Sequence, residues 1–417
     1  MHLLSRIIKQ ISHEGFLSLC LKVIYWPKFR TFRRQIGEKE WEKAARIGEY
    51  LVKRLSNNIE LYMGLAHCYK GLENHYLATN TMQKGLEKIL LLTELVEKVI
   101  CKTGLSYKSY EYMGGDQNLG CIAYEYSGNG KVEEYITKIV FSDATSSERL
   151  FYLTFLKNFP GLQEITPRVK DYSECSKGGL VLITVEKIVG QQPVISKKVI
   201  LDIINANKII SGIKYKDIKH KISIQNYKDE FTLFNSNYPL HPISALHSFI
   251  FIHNKSTNIK LFQLVFKHMN KKGYSSTSYM YIGRLKEVIF QWEMFNRIDI
   301  DRHYSLQHGD FFLYNMLHNQ ENNNLYLIDW GNLRIGPSWV DLAGFFGQLK
   351  VPFQIIHEEY LLKPSVSGNF DKIEKIFFIY TLIITWFIIF PRQEFEDNIN
   401  LFLLPAIEAM EKMMMDE

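Results

Sequence analysis

The stretch HGDFFLYN at residues 308–315, with LYLIDW following at 325–330, decides how this chain is read. It sets a carboxylate at Asp310, an amide five residues later at Asn315, and a second carboxylate, Asp329, at the end of the apolar run LYLI. Asn319 to Asn324 is a polar turn joining the two pieces into a hairpin-like unit. Phosphoryl transfer from ATP asks for a carboxylate beside the acceptor hydroxyl and for hard oxygen ligands on Mg²⁺. On that chemistry Asp310 orients or deprotonates the hydroxyl. Asn315 turns back along a tight loop toward the metal, and Asp329 leaves the carboxyl end of its strand to face the same cleft.

Together with His308, Gly309, Ile328 and the later GPSWVDLA at 336–343, which contains Asp341, this pattern resembles the aminoglycoside phosphotransferase and choline kinase group of the protein-kinase-like fold. HGD is the triplet of its aminoglycoside and sugar kinase branches. Choline kinases usually carry asparagine at the place of Gly309, and protein kinases an arginine. Trp330 stands where protein kinases have the phenylalanine of DFG. The resemblance implies an α+β, two-lobed fold with a small β-rich lobe and a large, mostly helical lobe, using ATP and Mg²⁺. It implies Asn315 and Asp329 as the metal ligands, His308 packed beneath the catalytic loop, and Asp341 buried and accepting hydrogen bonds from that loop's backbone.

Upstream, residues 102–190 read as the small lobe. SYKSYEYMGG, LGCIAYEYS and VEEYITKIV form a three-strand meander, and Lys138 lies amid the apolar residues of the third strand. An ATP site needs a cation for the phosphates and a carboxylate to hold it. The candidate carboxylate is Glu148, in the helix SSERLFYLTFL that Ser146 would cap, with Glu164 as the alternative. Gly114 and Gly115 mark a turn that would let the backbone approach phosphate. The strand GLVLITVEKIVG then bends. In the resembling families this segment is the hinge, so backbone groups from Glu186 to Ile188 would bind adenine.

Residues 191–417 read as the large lobe, with helical runs at Lys197–Ile213, Pro242–His253, Ile259–Met269 and Ile282–Phe295. Ile376 to Phe390 is fifteen residues without a charge, short of the about 20 that a spanning helix needs, so it is expected to be a buried helix. The net charge of +6 argues against an acidic cleft for polycationic drugs and toward an anionic or neutral acceptor.

Residues 1–101 lie outside the resemblance. Trp41, Ala44, Gly48, Leu51 and Leu55 recur at helical spacing, followed by Tyr62, Leu65, Ala66, Tyr69 and then Ala78, Met82, Gly85. The order of large and small residues suggests a tetratricopeptide-like hairpin or a plain helical bundle. Residues 1–54 hold twelve Lys or Arg against five Glu, a charge of +7, so the rest of the chain sums to −1. With Leu17, Leu19, Leu21, Val23, Ile24, Tyr25 and Trp26, this basic stretch could engage an anionic membrane surface, or simply pack as a helix. Leu3, Leu4, Ile7 and Ile8 are interrupted by Lys9, His13 and Glu14 before a signal-peptide core could form. Five scattered cysteines suggest neither disulfides nor zinc, and a cytoplasmic setting, peripheral to the inner membrane face, is the simplest. No nucleic-acid-binding pattern accompanies the charge.

These features lead to the expectation of an ATP- and Mg²⁺-dependent phosphotransferase acting on a hydroxyl of a small molecule or glycan, with a sugar, glycolipid or capsule-type intermediate preferred. The alternatives are an aminoglycoside or choline/ethanolamine-type acceptor, and a pseudokinase-like nucleotide-binding module that recruits a protein partner through residues 1–100.

Overall fold

The computed structural model describes residues 16–56, 58–88, 92–112, 118–128, 131–141, 147–175, 179–222, 255–291, 293–319, 322–363 and 370–415. The Leu3 to Glu14 stretch, the Gly114–Gly115 turn, the Ser146 cap, the middle of the Asn319–Asn324 turn and the Pro242–His253 run lie outside them. The chain divides into two compact units, Met1–Ser146 with Pro167–Lys187, and Ser147–Thr166 with Ile188–Glu417.

The first unit is a layer of helices on an antiparallel sheet. Its helices are α1 (Phe16–Gly37), α2 (Trp41–Val52), α3 (Ile59–Gly71), α4 (His75–Leu86) and α5 (Leu92–Thr103). Asn58 caps α3 by accepting from the Glu60 amide, and Asn74 caps α4 by accepting from the Leu77 amide. Small residues let the helices approach: a Cβ on Gly85 would lie 2.6 Å from Tyr62, and one on Gly48 would lie 2.9 Å from Phe32.

The sheet holds β1 (Ser106–Glu111), β2 (Asn118–Gly128), β3 (Lys131–Phe141), β4 (Val169–Cys175) and β5 (Leu180–Glu186), in the order β1-β2-β3-β5-β4. The expected three-strand meander and the strand GLVLITVEKIVG are therefore present, with one strand more, β4. In β4, VKDYSEC, a sheet edge carries charged residues, a pattern that protects an edge from further pairing and reads as a loop in sequence.

Alternation along β3 assigns its two faces. Tyr135 and Ile139 join Ile122, Tyr124, Leu180 and Leu182 in one core with Met63, Ala66, Met82, Leu95 and Val99 of the helices. Lys138, paired in register with Cys121 and Ile183, belongs to the opposite face. Helices and sheet thus share a continuous core. Removing residues 1–100 would strip one face of the sheet, so the role of the helices is better tested by surface substitutions than by truncation.

The second unit begins with α6 (Ser147–Leu150), which continues through a π-helical turn at Phe151–Phe155. Its other main helices are α7 (Lys197–Ser211), α8 (Lys255–Lys272), α9 (Ser276–Gln291), α10 (Val340–Gln348), α11 (Lys372–Ile389) and α12 (Leu403–Met415). Short strands β6 (Gly190–Gln191), β8 (Met316–Asn319) and β9 (Leu325–Leu327) form one sheet, while β7 (Tyr304–Gln307) pairs with β10 (Arg334–Pro337).

Ile376 to Phe387 of the apolar run are buried within α11, whose start is fixed by a capping box between Asp371 and Glu374. Its two threonines serve packing and hydrogen bonding. Thr381 Oγ1 accepts from Trp339 Nε1 at 3.1 Å, and Thr385 lies where a Cβ on Gly347 of α10 would come within 2.4 Å. No described helix is long and apolar enough to cross a membrane. The mixed helix and sheet content agrees with the expected α+β class.

Candidate active site

Strand register brings the candidate residues of the second unit together. The hairpin of β8 and β9 pairs Met316 with Leu327, so the next positions out, Asn315 and Ile328, also meet, and the Ile328 amide donates to the Asn315 carbonyl at 2.9 Å. Asn315 and Asp329 therefore flank the open end of one hairpin. Asp329 takes φ +62°, a left-handed conformation that a non-glycine residue adopts at a cost of about 1–3 kcal/mol when its surroundings require it.

Asp310 lies on the loop that leaves β7. Asn315, buried, donates from Nδ2 both to the Asp310 carbonyl oxygen at 2.9 Å and to Asp310 Oδ2 at 3.0 Å. Both amide hydrogens are thereby committed to Asp310, and Asn315 Oδ1 is left as the hard oxygen for a cation. Among the described residues no three His, Cys, Asp or Glu side chains converge into a self-sufficient metal cage. One carboxylate and one amide oxygen suit Mg²⁺, which completes its octahedron with phosphate oxygens and water.

The loop is pinned from below. Asp341, buried at the start of α10, accepts from the His308 amide at 2.7 Å and from the Gly309 amide at 3.2 Å. Burial pushes the Asp341 carboxyl up to about 6, against the opposing influence of Arg334 and of these two amides. His308 Nε2 lies 3.0 Å from the Ile328 carbonyl and must carry the proton, while Nδ1 is buried with no partner among the described residues. Burial lowers the His308 pKa to about 4, so the ring is neutral.

This has a consequence for pH dependence. A histidine that titrates near 6.5 when unfolded and near 4 when folded stabilises fully above the unfolded value and loses that contribution as pH falls toward 4. The melting temperature of the wild type minus that of His308→Gln is expected to rise between pH 4 and 6.5 and level off above. Asp341 opposes this slope in the wild type between about 4 and 6, so the difference between the proteins is the quantity to follow.

Gly309 has a steric reason to be glycine. It sits at φ +79°, and a Cβ there would lie 2.0 Å from the Asn332 carbonyl oxygen. The asparagine or arginine of other branches of the resembling fold does not fit this backbone.

Arg334, Phe151 and Tyr314, which also touch the site, were not singled out from sequence, whereas Trp330 was. Arg334 donates to Gln307 Oε1 and to the Gly309 carbonyl, both at 3.0 Å, tying β10 to the loop. Its signal was a lone cation at the start of the strand RIGP. Trp330 stacks on Phe151 with centroids 3.8 Å apart and leans on His308 at 4.5 Å, which couples the Asp329 turn to the helical segment carrying Glu148. Tyr314 Oη donates to Asp310 Oδ1.

The remaining candidates divide between the units. Lys138 is half-buried on β3, and Glu186 ends β5, where its carboxylate accepts from the Arg168 amide at 2.9 Å. The amides of Glu186 and Lys187 are engaged with the carbonyls of Arg168 and Glu134, so among the three hinge amides that of Ile188 is the donor still to be placed. In the second unit Glu148 is buried at 4% exposure, whereas the alternative Glu164 is exposed.

Residues 283–355 match the model of the phosphotransferase enzyme family. No curated protein sequence matches the chain. Among solved structures it is similar to a spectinomycin phosphotransferase bound to ADP and spectinomycin, with 14% identity, a TM-score of 0.38, and coverage of 76% of this chain and 98% of that one. A choline kinase from Streptococcus pneumoniae gives 15% identity, 0.35, and coverage of 78% and 99%. For a Plasmodium vivax ethanolamine kinase the values are 13%, 0.38, 80% and 89%. These likenesses are distant, and the substrates of those proteins do not carry over from them. The segment holding His308, Asp310, Asn315 and Asp329 is thus the part of the chain that matches the phosphotransferase enzyme family.

Proposed function

We propose that the protein moves the γ-phosphate of ATP, with Mg²⁺, to a hydroxyl of a small molecule or glycan, a sugar, glycolipid or capsule-type intermediate being the preferred acceptor. The observation that carries this reading is the Asp310–Asn315 pairing. One amide group donates to the Asp310 carboxylate and to the Asp310 backbone carbonyl, which leaves its oxygen for the metal. In the transfer, Asp310 accepts the acceptor's proton as the acceptor oxygen bonds to the γ-phosphorus and the bond to the β-phosphate oxygen breaks with ADP leaving, and Asn315 with Asp329 would hold Mg²⁺, which would neutralise phosphate charge.

On the same reading Lys138 neutralises the nucleotide phosphates and Glu148 is the carboxylate that steadies it. A buried carboxylate such as Glu148 is tolerated only with a cation or donors near it. The Glu186 carbonyl and the Ile188 amide serve adenine. The acceptor preference is supported by the +7 charge of residues 1–54, which favours an anionic glycan, glycolipid or membrane surface. Residues 1–100, read as tetratricopeptide-like, would recruit a protein partner or engage an anionic membrane surface at its inner face.

Thermal shift with Mg²⁺ and ATP tests the nucleotide site. Ligand at 100 times its Kd stabilises by about 2.7 kcal/mol, a shift of several degrees that Asp329→Ala should remove. A wild type that no nucleotide shifts would sink the reading.

A further inference from the structure

The side of Asp310 that Asn315 does not hold is occupied by a hydroxyl of the chain itself. Tyr314 Oη donates to Asp310 Oδ1 at 2.7 Å, a normal length for a charge-assisted O–H···O⁻ bond, while Asn315 holds Oδ2 at 3.0 Å. The two partners differ in how firmly they are held. Asn315 is 5% exposed and locked in the hairpin, whereas Tyr314 is 58% exposed, with its ring tilted against Phe312 at 5.6 Å. Turning Tyr314 outward would empty no core.

A base that takes a proton from an acceptor needs the acceptor oxygen about 2.6–3.2 Å away. The Tyr314 hydroxyl meets that requirement with the same functional group.

We propose that Tyr314 is an internal occupant of the acceptor position. With no acceptor bound, its hydroxyl covers Asp310 Oδ1 and keeps water off the base, and an incoming acceptor hydroxyl exchanges with it. The inference rests on the reading of Asp310 as the base. Without this occupant a water could take its place. The water oxygen would then form the new bond to the γ-phosphorus, the bond to the β-phosphate oxygen would break with ADP leaving, and the water proton would pass to Asp310, giving ADP and inorganic phosphate.

The experiment uses the full chain with Mg²⁺ and ATP and no acceptor, comparing phosphate release by the wild type, Tyr314→Phe, and Tyr314→Phe combined with Asp329→Ala. Phenylalanine keeps the ring and removes only the hydroxyl. Loss of a hydrogen bond to a charged group should raise acceptor-independent hydrolysis about tenfold, with the nucleotide thermal shift unchanged, and the double variant should lose the gain. Hydrolysis by Tyr314→Phe equal to or below that of the wild type, with the shift intact, overturns the proposal. A merely structural tyrosine would instead lower the melting temperature and hydrolysis together, which also counts against it. Failure of the underlying reading looks different: the wild type then shows no nucleotide shift at all, and the proposal falls with it.

Discussion

Asp310→Ala should lower phosphoryl transfer by about 10²–10⁴-fold while leaving the nucleotide thermal shift close to that of the wild type. The asymmetry follows from how Asn315 is held. Its amide donates to the Asp310 carbonyl as well as to the carboxylate, and the carbonyl survives the substitution. The Asn315 amide therefore keeps a partner and the hairpin register through Ile328 is untouched. The metal-side oxygen stays in place while the base is gone. Single-turnover transfer measured beside the thermal shift decides the matter, since loss of both would make Asp310 a structural residue.

Asp341→Ala should act in the opposite sense, on stability first. The carboxylate accepts from the amides of His308 and Gly309, and Arg334 lies close enough to influence its titration. Its removal strands two buried donors and an enclosed guanidinium, a change that typically costs about 3–5 kcal/mol. A fall of roughly 10 °C in the melting temperature is the expected reading. Activity would decline through the disordered loop, so residual activity per folded molecule at low temperature should exceed that of Asp310→Ala. A melting temperature within about a degree of the wild type would show that the loop has other support.

The parts of the site that could be read from sequence lie close together along the chain. His308, Asp310 and Asn315 fall within one loop, and Asp329 and Asp341 follow within about thirty residues. Local backbone geometry relates such neighbours, so order and spacing carry chemical meaning. The buried helix at 376–390 was legible for a similar reason, because fifteen uncharged residues are too few for a bilayer and must find a protein interior. Edge strand β4 was not legible, since its charged alternation resembles a loop until a partner strand is supplied.

Sequence by itself placed two carboxylates and an amide at fixed separations around a strand-turn-strand unit, the pattern on which the proposed chemistry rests. Tertiary structure decided which face of the first unit's sheet the N-terminal helices cover, leaving Lys138 on the other, and why position 309 must be glycine beneath the Asn332 carbonyl. It also decided that the Tyr314 hydroxyl rests on Asp310. The physical reason is range. Spacing along a chain specifies what backbone torsions alone can bring together, whereas face, clearance and the second oxygen of a carboxylate depend on contacts made only once the chain has packed.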